Sequence, residues 1–255
     1  MPAFIGAAAP RLWQTAETAA DFREATATYY DASILGMAAA GKKELPVLDT
    51  FWRKTLPGLL TERQAKDKDK ACWLTKDELV QVMQWKLTRG KMRPLMNLVR
   101  SNDPATVQRI SKAALAAAQT GDISGAITTL SGPELKGIGP ATASAVLAAY
   151  RPELFPFMAD EPTVIVLGEE GGGGKLKYNL AEYLAYLKTV IKKCKEINSS
   201  RKGKKGEVAA GGALTPEEIG RALWCVSRAE LLGKFWKRKW KGGRNQRACE
   251  IRACT

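Results

Sequence analysis

The 255-residue chain contains no histidine. That absence removes Ser-His-Asp triads, histidine general bases and the usual zinc sites. Acid–base chemistry must then rest on carboxylates, lysine, tyrosine or cysteine. Cysteine is sparse as well. Cys72, Cys194, Cys225, Cys249 and Cys254 are scattered and odd in number, the pattern of free thiols in a reducing compartment. Cys249 and Cys254 lack a CxxC spacing, and neither a metal nor any other cofactor is expected. No run approaches the roughly 18 consecutive apolar residues of a membrane span, so no membrane partner is expected. The early segment Phe4 to Pro10 is too short for a signal peptide and has no basic flank. A soluble intracellular protein is the resulting expectation. Strand-like alternation is nearly absent; Thr163 to Leu167 is the sole candidate and reads equally as helix.

Acidic residues are the minority, 26 against 40 Lys and Arg, for a net charge of +14. Such an excess favours polyanionic partners, nucleic acid first among them. The charge is unevenly spread. Residues 233–255 hold eight basic residues and one acid. Within them, Lys234 to Lys241 interleave basic and aromatic side chains, as phosphate-binding and base-stacking segments do. The same tail also reads as a solvated segment or an import signal. Together with Arg201-Lys202-Gly203-Lys204-Lys205 it points to the nucleus, although cytosolic RNA binding uses similar clusters.

Hydrophobic content of 45% is enough for a sizeable core, and helical periodicity dominates. Residues 17–40 are Ala-rich around Phe22, Tyr29, Ile34 and Leu35. Leu45 to Leu60 is apolar and aromatic, broken by Pro46 and Pro57. Thr61 to Lys70 reads as an exposed loop or helix end. Thr75-Lys76-Asp77-Glu78 is a capping box opening a helix with Leu79, Val82, Met83 and Leu87 on one face. Asp103-Pro104 starts another, which ends before Gly121. Ala126 to Leu130 and Pro140 to Tyr150 form a pair of arms. Gly171 to Gly174 is a break, Leu176 to Ile197 a further helix, and Ser199 to Gly212 a basic linker. Thr215-Pro216-Glu217-Glu218 starts the last helix, through Leu223, Trp224 and Leu231. Trp52, Trp73 and Trp224 read as core, and Cys72 as a buried thiol. The pattern predicts an all-α protein of roughly eight to ten helices. Its parts are an N-terminal segment 1–14, a helical domain 15–233 with a hairpin at 125–150 and a linker at 199–213, and a basic tail 234–255.

The most telling segment is Leu135-Lys136-Gly137-Ile138-Gly139-Pro140-Ala141-Thr142-Ala143. It reads as a tight turn entering a helix, where glycines permit positive φ and close approach. Amides beside a helix N-terminus bind anions, and phosphate is the anion a basic chain would meet. The pattern LxGxGxxTA, followed by Phe155-Pro156-Phe157-Met158-Ala159-Asp160-Glu161 with an acid 21 residues beyond Gly139, resembles the helix-hairpin-helix DNA glycosylase superfamily. The resemblance covers about Thr75 to Asp160. It implies two helical lobes with double-stranded DNA in the cleft between them, a monomer, and hydrolysis of the bond between a damaged or mispaired base and its sugar.

On that resemblance Asp160 is the catalytic carboxylate, stabilising positive charge that develops on the deoxyribose and helping to activate water, with Glu161 the alternative one position on. The competing reading is that Asp160 caps a helix opening at Asp-Glu-Pro. The amides of Gly137, Ile138 and Gly139, with Lys136 and Thr142, would hold a phosphate; the glycines alternatively serve only turn geometry. Trp85 and Lys86 are candidates for wedging into the duplex or reading it, against a core role for Trp85. Arg89, Lys91 and Arg93 suit phosphate contacts. Ala141 stands where relatives that also cut the backbone carry a Schiff-base lysine, which implies a monofunctional enzyme. The four-cysteine iron–sulfur motif of some relatives is missing, so no cluster is expected. The residues after Asp160 depart from the family's usual hydrophobic helix bearing a basic residue, which leaves a catalytically silent DNA-binding or protein-interaction scaffold as the alternative.

Overall fold

The computed structural model describes residues 6–168, 176–200 and 212–241, with side chains as far as Lys234. The glycine break at 171–174, the cluster Arg201–Lys205, most of the 199–213 linker, Cys249, Cys254 and the end of the basic tail lie outside the described residues. Among those described the protein is all-α, with no strand. The helices are α1 (Ala8–Thr15), α2 (Ala19–Ala39), α3 (Leu45–Thr50), α4 (Leu56–Lys66), α5 (Lys76–Arg89), α6 (Met96–Arg100), α7 (Pro104–Gln119), α8 (Ile123–Leu130), α9 (Pro140–Tyr150), α10 (Asp160–Leu167), α11 (Leu180–Ser200) and α12 (Pro216–Lys241). Thr163 to Leu167 is therefore helical.

Caps set the starts. Reciprocal capping boxes open α2 (Thr18 and Asp21) and α5 (Thr75 and Glu78), and Thr215 with Glu218 does the same for α12. Asp103 caps α7 ahead of Pro104. The expected break in Leu45 to Leu60 does not occur. Pro46 falls in the first turn of α3, where its missing N–H costs nothing. Before Pro57 the backbone widens into a π turn, Phe51–Thr55, in which Leu56 N–H reaches Phe51 O. That single wide turn absorbs the ring clash and the missing donor that would otherwise end the helix. In α2 the buried face is Phe22, Tyr30, Ser33, Ile34 and Met37, while Tyr29 and Leu35 are exposed. Trp73 is half-buried rather than core.

Two groups of helices result. The terminal helices α1, α2, α10, α11 and α12 pack on one another, with α2 against α12 the most extensive pairing. The middle helices α4 to α9 form the second group, and α3 touches both α2 and α5. Where they meet, Asp49 of α3 is 2% exposed. It accepts hydrogen bonds from Tyr30 (2.7 Å) and Trp85 (3.1 Å) and pairs with Arg53 at 2.9 Å. Trp85 in turn stacks on Trp52, ring centroids 3.9 Å apart and 8° from parallel, and Trp52 Nε1 donates to Ala145 O of α9 at 2.9 Å.

Replacing Asp49 strands three buried donors at once. Asp49→Ala is expected to lower unfolding free energy by about 3–5 kcal/mol, measured by urea denaturation, with Asp49→Asn losing less because it keeps an acceptor.

Candidate functional site

The turn between α8 and α9 is held from outside by Asn102. Lys136 N–H donates to Asn102 Oδ1 at 2.8 Å, and Asn102 Nδ2 donates to Lys136 O and Val99 O at 3.0 Å each. Gly137 has φ +78°, and a Cβ there would lie 3.0 Å from Val99 Cγ2 and 3.1 Å from Leu98 Cβ. Its glycine is required twice over. Gly139 has φ −107° and open space where a Cβ would stand, so it leaves the turn accessible without being needed for its shape. The N–H groups of Gly137 and Gly139 have no acceptor among the described residues. Ile138 is different. Its side chain is 5% exposed, anchoring the turn in the core, and its N–H is directed at Leu135 O, 3.5 Å away. It is not a ligand contact. Lys136 is exposed.

Gly137, Gly139, Pro140, Ala141 and Thr142 form one wall of a cavity of about 380 Å³ at the junction of the two helix groups. The opposite side comes from Lys86 and Arg89 of α5, the loop residues Lys91 and Arg93, the strap Phe157 to Glu161, Tyr178 and Trp224. That strap is fixed by three bonds. Phe157 N–H donates to Glu217 Oε2 at 2.8 Å, Met158 N–H to Ser144 Oγ at 3.0 Å, and Thr163 Oγ1 to Ala159 O at 2.7 Å.

The strap delivers Asp160 to the cavity. Asp160 is the first residue of α10 and not its cap; the cap position is Ala159, and no side chain bonds back to the helix. The Asp160 carboxylate instead accepts from Tyr178 Oη at 2.8 Å and pairs with Lys91 Nζ at 2.9 Å, with 21% of the side chain exposed. Its position in the first turn of a helix favours the negative charge further. Burial, reinforced by Asp160, pushes the Tyr178 hydroxyl up to about 12, so it stays a proton donor to the carboxylate. Lys86 borders the same cavity with no hydrogen bond or ion pair among the described residues. Burial pulls its ammonium down to about 8, against the pull of Asp160 in the other direction.

Several expected site residues turn elsewhere. Glu161 also borders the cavity, but it is 3% exposed and ion-paired with Arg228, whereas the Asp160 side chain is 21% exposed. Trp85 is fully buried, committed to Trp52 and Asp49, and cannot enter a duplex. Arg89 is 3% exposed, so it is no surface phosphate contact. Its guanidinium lies over the Trp224 ring at 3.8 Å from the centroid, with Trp85 and Phe157 at 5.0 and 5.1 Å. Thr142 is 2% exposed and meets the cavity only. Lys91 and Arg93 are exposed, Arg93 standing over the Tyr178 ring at 5.5 Å.

Sequence reasoning missed Asn102 and Tyr178, and passed over Met92, which borders a neighbouring groove with Gly41 and Leu87. Met92 is 72% exposed between Lys91 and Arg93. An apolar side chain inside a basic run was the available signal for it; Tyr178 had none, since only the fold brings it to Asp160. No family model, no curated protein and no solved structure matches this chain.

Two outcomes follow from this geometry. Gly137→Ala is expected to cost about 1–3 kcal/mol of stability from positive-φ strain and contact, while Gly139→Ala stays within about 0.5 kcal/mol, both read by denaturant midpoints. Lys86 is the second case. A lysine held below its unfolded pKa destabilises the fold when protonated, and stability rises with pH between about 8 and 10.5 as the folded state loses that proton first. Lys86→Met is therefore expected to be more stable than wild type at pH 7 by about 3 kcal/mol, with the gap closing toward pH 10.5 in parallel thermal melts.

Proposed function

We propose that the chain is a DNA-binding protein with a two-lobed, glycosylase-like arrangement that hydrolyses the bond between a base and its deoxyribose. The observation that carries the reading is Asp160. Its carboxylate serves no capping role, opens onto a base-sized cavity, and shares that cavity with a turn whose two glycine amides lack acceptors.

In this reading one phosphate sits on the Gly137 and Gly139 amides beside the positive end of α9. Lys136, Lys91 and Arg93 add positive charge around the rim. An extruded base enters the cavity, and Met92 fills the gap it leaves in the stack, the wedge role that buried Trp85 cannot take. The C1′–N bond breaks with its electron pair leaving on the base. Asp160 stabilises the oxocarbenium character at C1′, and water adds there while its proton passes to the carboxylate. Lys91 gives up its ion pair to a phosphate as DNA arrives, which frees the carboxylate for the sugar. Two groups of helices with the cavity at their junction support the two-lobed arrangement, and the basic excess supports double-stranded DNA as the partner, a monomer as the state and the nucleus as the location.

Base release from a panel of lesion-containing duplexes tests this. Wild type is expected to release at least one base, and Asp160→Asn to lose roughly 10²–10⁴-fold of that rate while duplex affinity is kept. Release that is indifferent to Asp160→Asn, or absent across the panel, leaves a DNA-binding scaffold with no catalysis at this carboxylate.

A further inference from the structure

The floor of the cavity holds an arginine with nothing to bind. Arg89 is 3% exposed, its Nε is buried without a partner, and its guanidinium makes no hydrogen bond or ion pair among the described residues. The neighbouring acids are already engaged: Asp49 with Arg53 at 2.9 Å, Glu217 with Arg221 at 3.7 Å, Glu161 with Arg228. A guanidinium stays protonated in a protein, and an unpaired buried charge is costly. Contact with the rings of Trp224, Trp85 and Phe157 offsets part of that cost. Rings occupy the face of the group, so its N–H edge is what remains for a ligand, and the cavity is where a ligand can reach it.

We infer that Arg89 selects the base: the cavity takes an extruded 6-oxopurine, such as hypoxanthine, and rejects adenine and cationic alkylated purines. This rests on the base-releasing reading above and names its substrate class. A guanidinium fork bonds two adjacent acceptors, the pattern that O6 and N7 of a 6-oxopurine present. Adenine replaces O6 with an amino donor, which faces N–H groups without an acceptor between them. Uracil and thymine offer O4 beside an N3–H donor, one acceptor where the fork needs two. An N7-alkylated guanine has lost N7 as an acceptor and carries a positive charge, which meets the guanidinium with like sign. Lys86, unpaired in the same cavity, adds to that exclusion.

The test uses full-length protein carrying Asp160→Asn, so that binding is read without turnover. Its affinity is measured by fluorescence anisotropy for duplexes identical but for one position: hypoxanthine, adenine, uracil or N7-methylguanine. Hypoxanthine is expected to bind roughly 10–100-fold more tightly than adenine, with the other two no better than adenine. Adding Arg89→Gln, whose amide pairs with the N6 and N7 edge of adenine, is expected to abolish or reverse that order. Should R89Q not fold, Arg89→Lys keeps the charge without the fork and is expected to lose the preference while retaining overall affinity. Equal binding of hypoxanthine and adenine by the D160N protein, or a preference that survives the Arg89 substitutions, overturns the assignment of Arg89. A preference that depends on Arg89, together with no base release by wild type from any duplex, supports the pocket and overturns only the hydrolytic reading.

Discussion

The contact of the Arg89 guanidinium with the Trp224 ring joins the two halves of the molecule. Arg89 ends α5, in the middle group of helices; Trp224 belongs to α12, in the terminal group; Phe157 of the strap touches the same guanidinium. A charge desolvated at such a junction fixes the relative placement of its three neighbours, because any slippage would expose ring surface or strand the cation. Arg89, Phe157 and Trp224 all line the cavity, so its shape depends on the same packing. Asp49 works one layer below, ordering Trp85 and Tyr30 so that Arg89 has a wall to lie against.

The acid at the cavity depends on that frame through a short strap. Phe157 is tied to α12 by Glu217 and Met158 to α9 by Ser144, one bond to each side of the junction. The helix α10 can therefore begin with Asp160 turned to the cavity and Glu161 turned to Arg228. Two adjacent carboxylates thus each pair with a cation, Asp160 with exposed Lys91 and Glu161 with Arg228, and differ in how far they are buried. Tyr178 and Lys91 then hold the outer one in a defined position while leaving it partly solvated.

Local signals in the sequence were read well. The box at Thr75, the helix starts at Thr215-Pro216 and Asp103-Pro104 and the arm Pro140 to Tyr150 follow from rules that operate within one turn of chain. Asp160 and the glycine turn line one cavity; their spacing alone does not dictate that, and the expectation rested on the family resemblance. Failures came where distant segments decide. Arg89 reads from sequence as a phosphate contact, and Trp85 as either a wedge or a core residue; both are buried. Their spacing of four places them on one helix face, and what covers that face, Trp52, Asp49, Phe157 and Trp224, comes from distant segments that nothing in residues 76–100 reveals. Pro57 looked like a helix breaker, because a π turn that accommodates it leaves no composition signal. Tyr178 reaches Asp160 only through the return of the chain after α10.

The last helix has a mechanical implication. Trp224, which floors the cavity, and Lys241 lie on the same uninterrupted α12, and seventeen helical residues span roughly 25 Å. The basic and aromatic stretch from Lys234 to Lys241 is thus carried on a stiff arm rooted in the core beneath the cavity, at a set distance and direction from it. Whatever that stretch grips is measured off from the cavity floor as by a ruler.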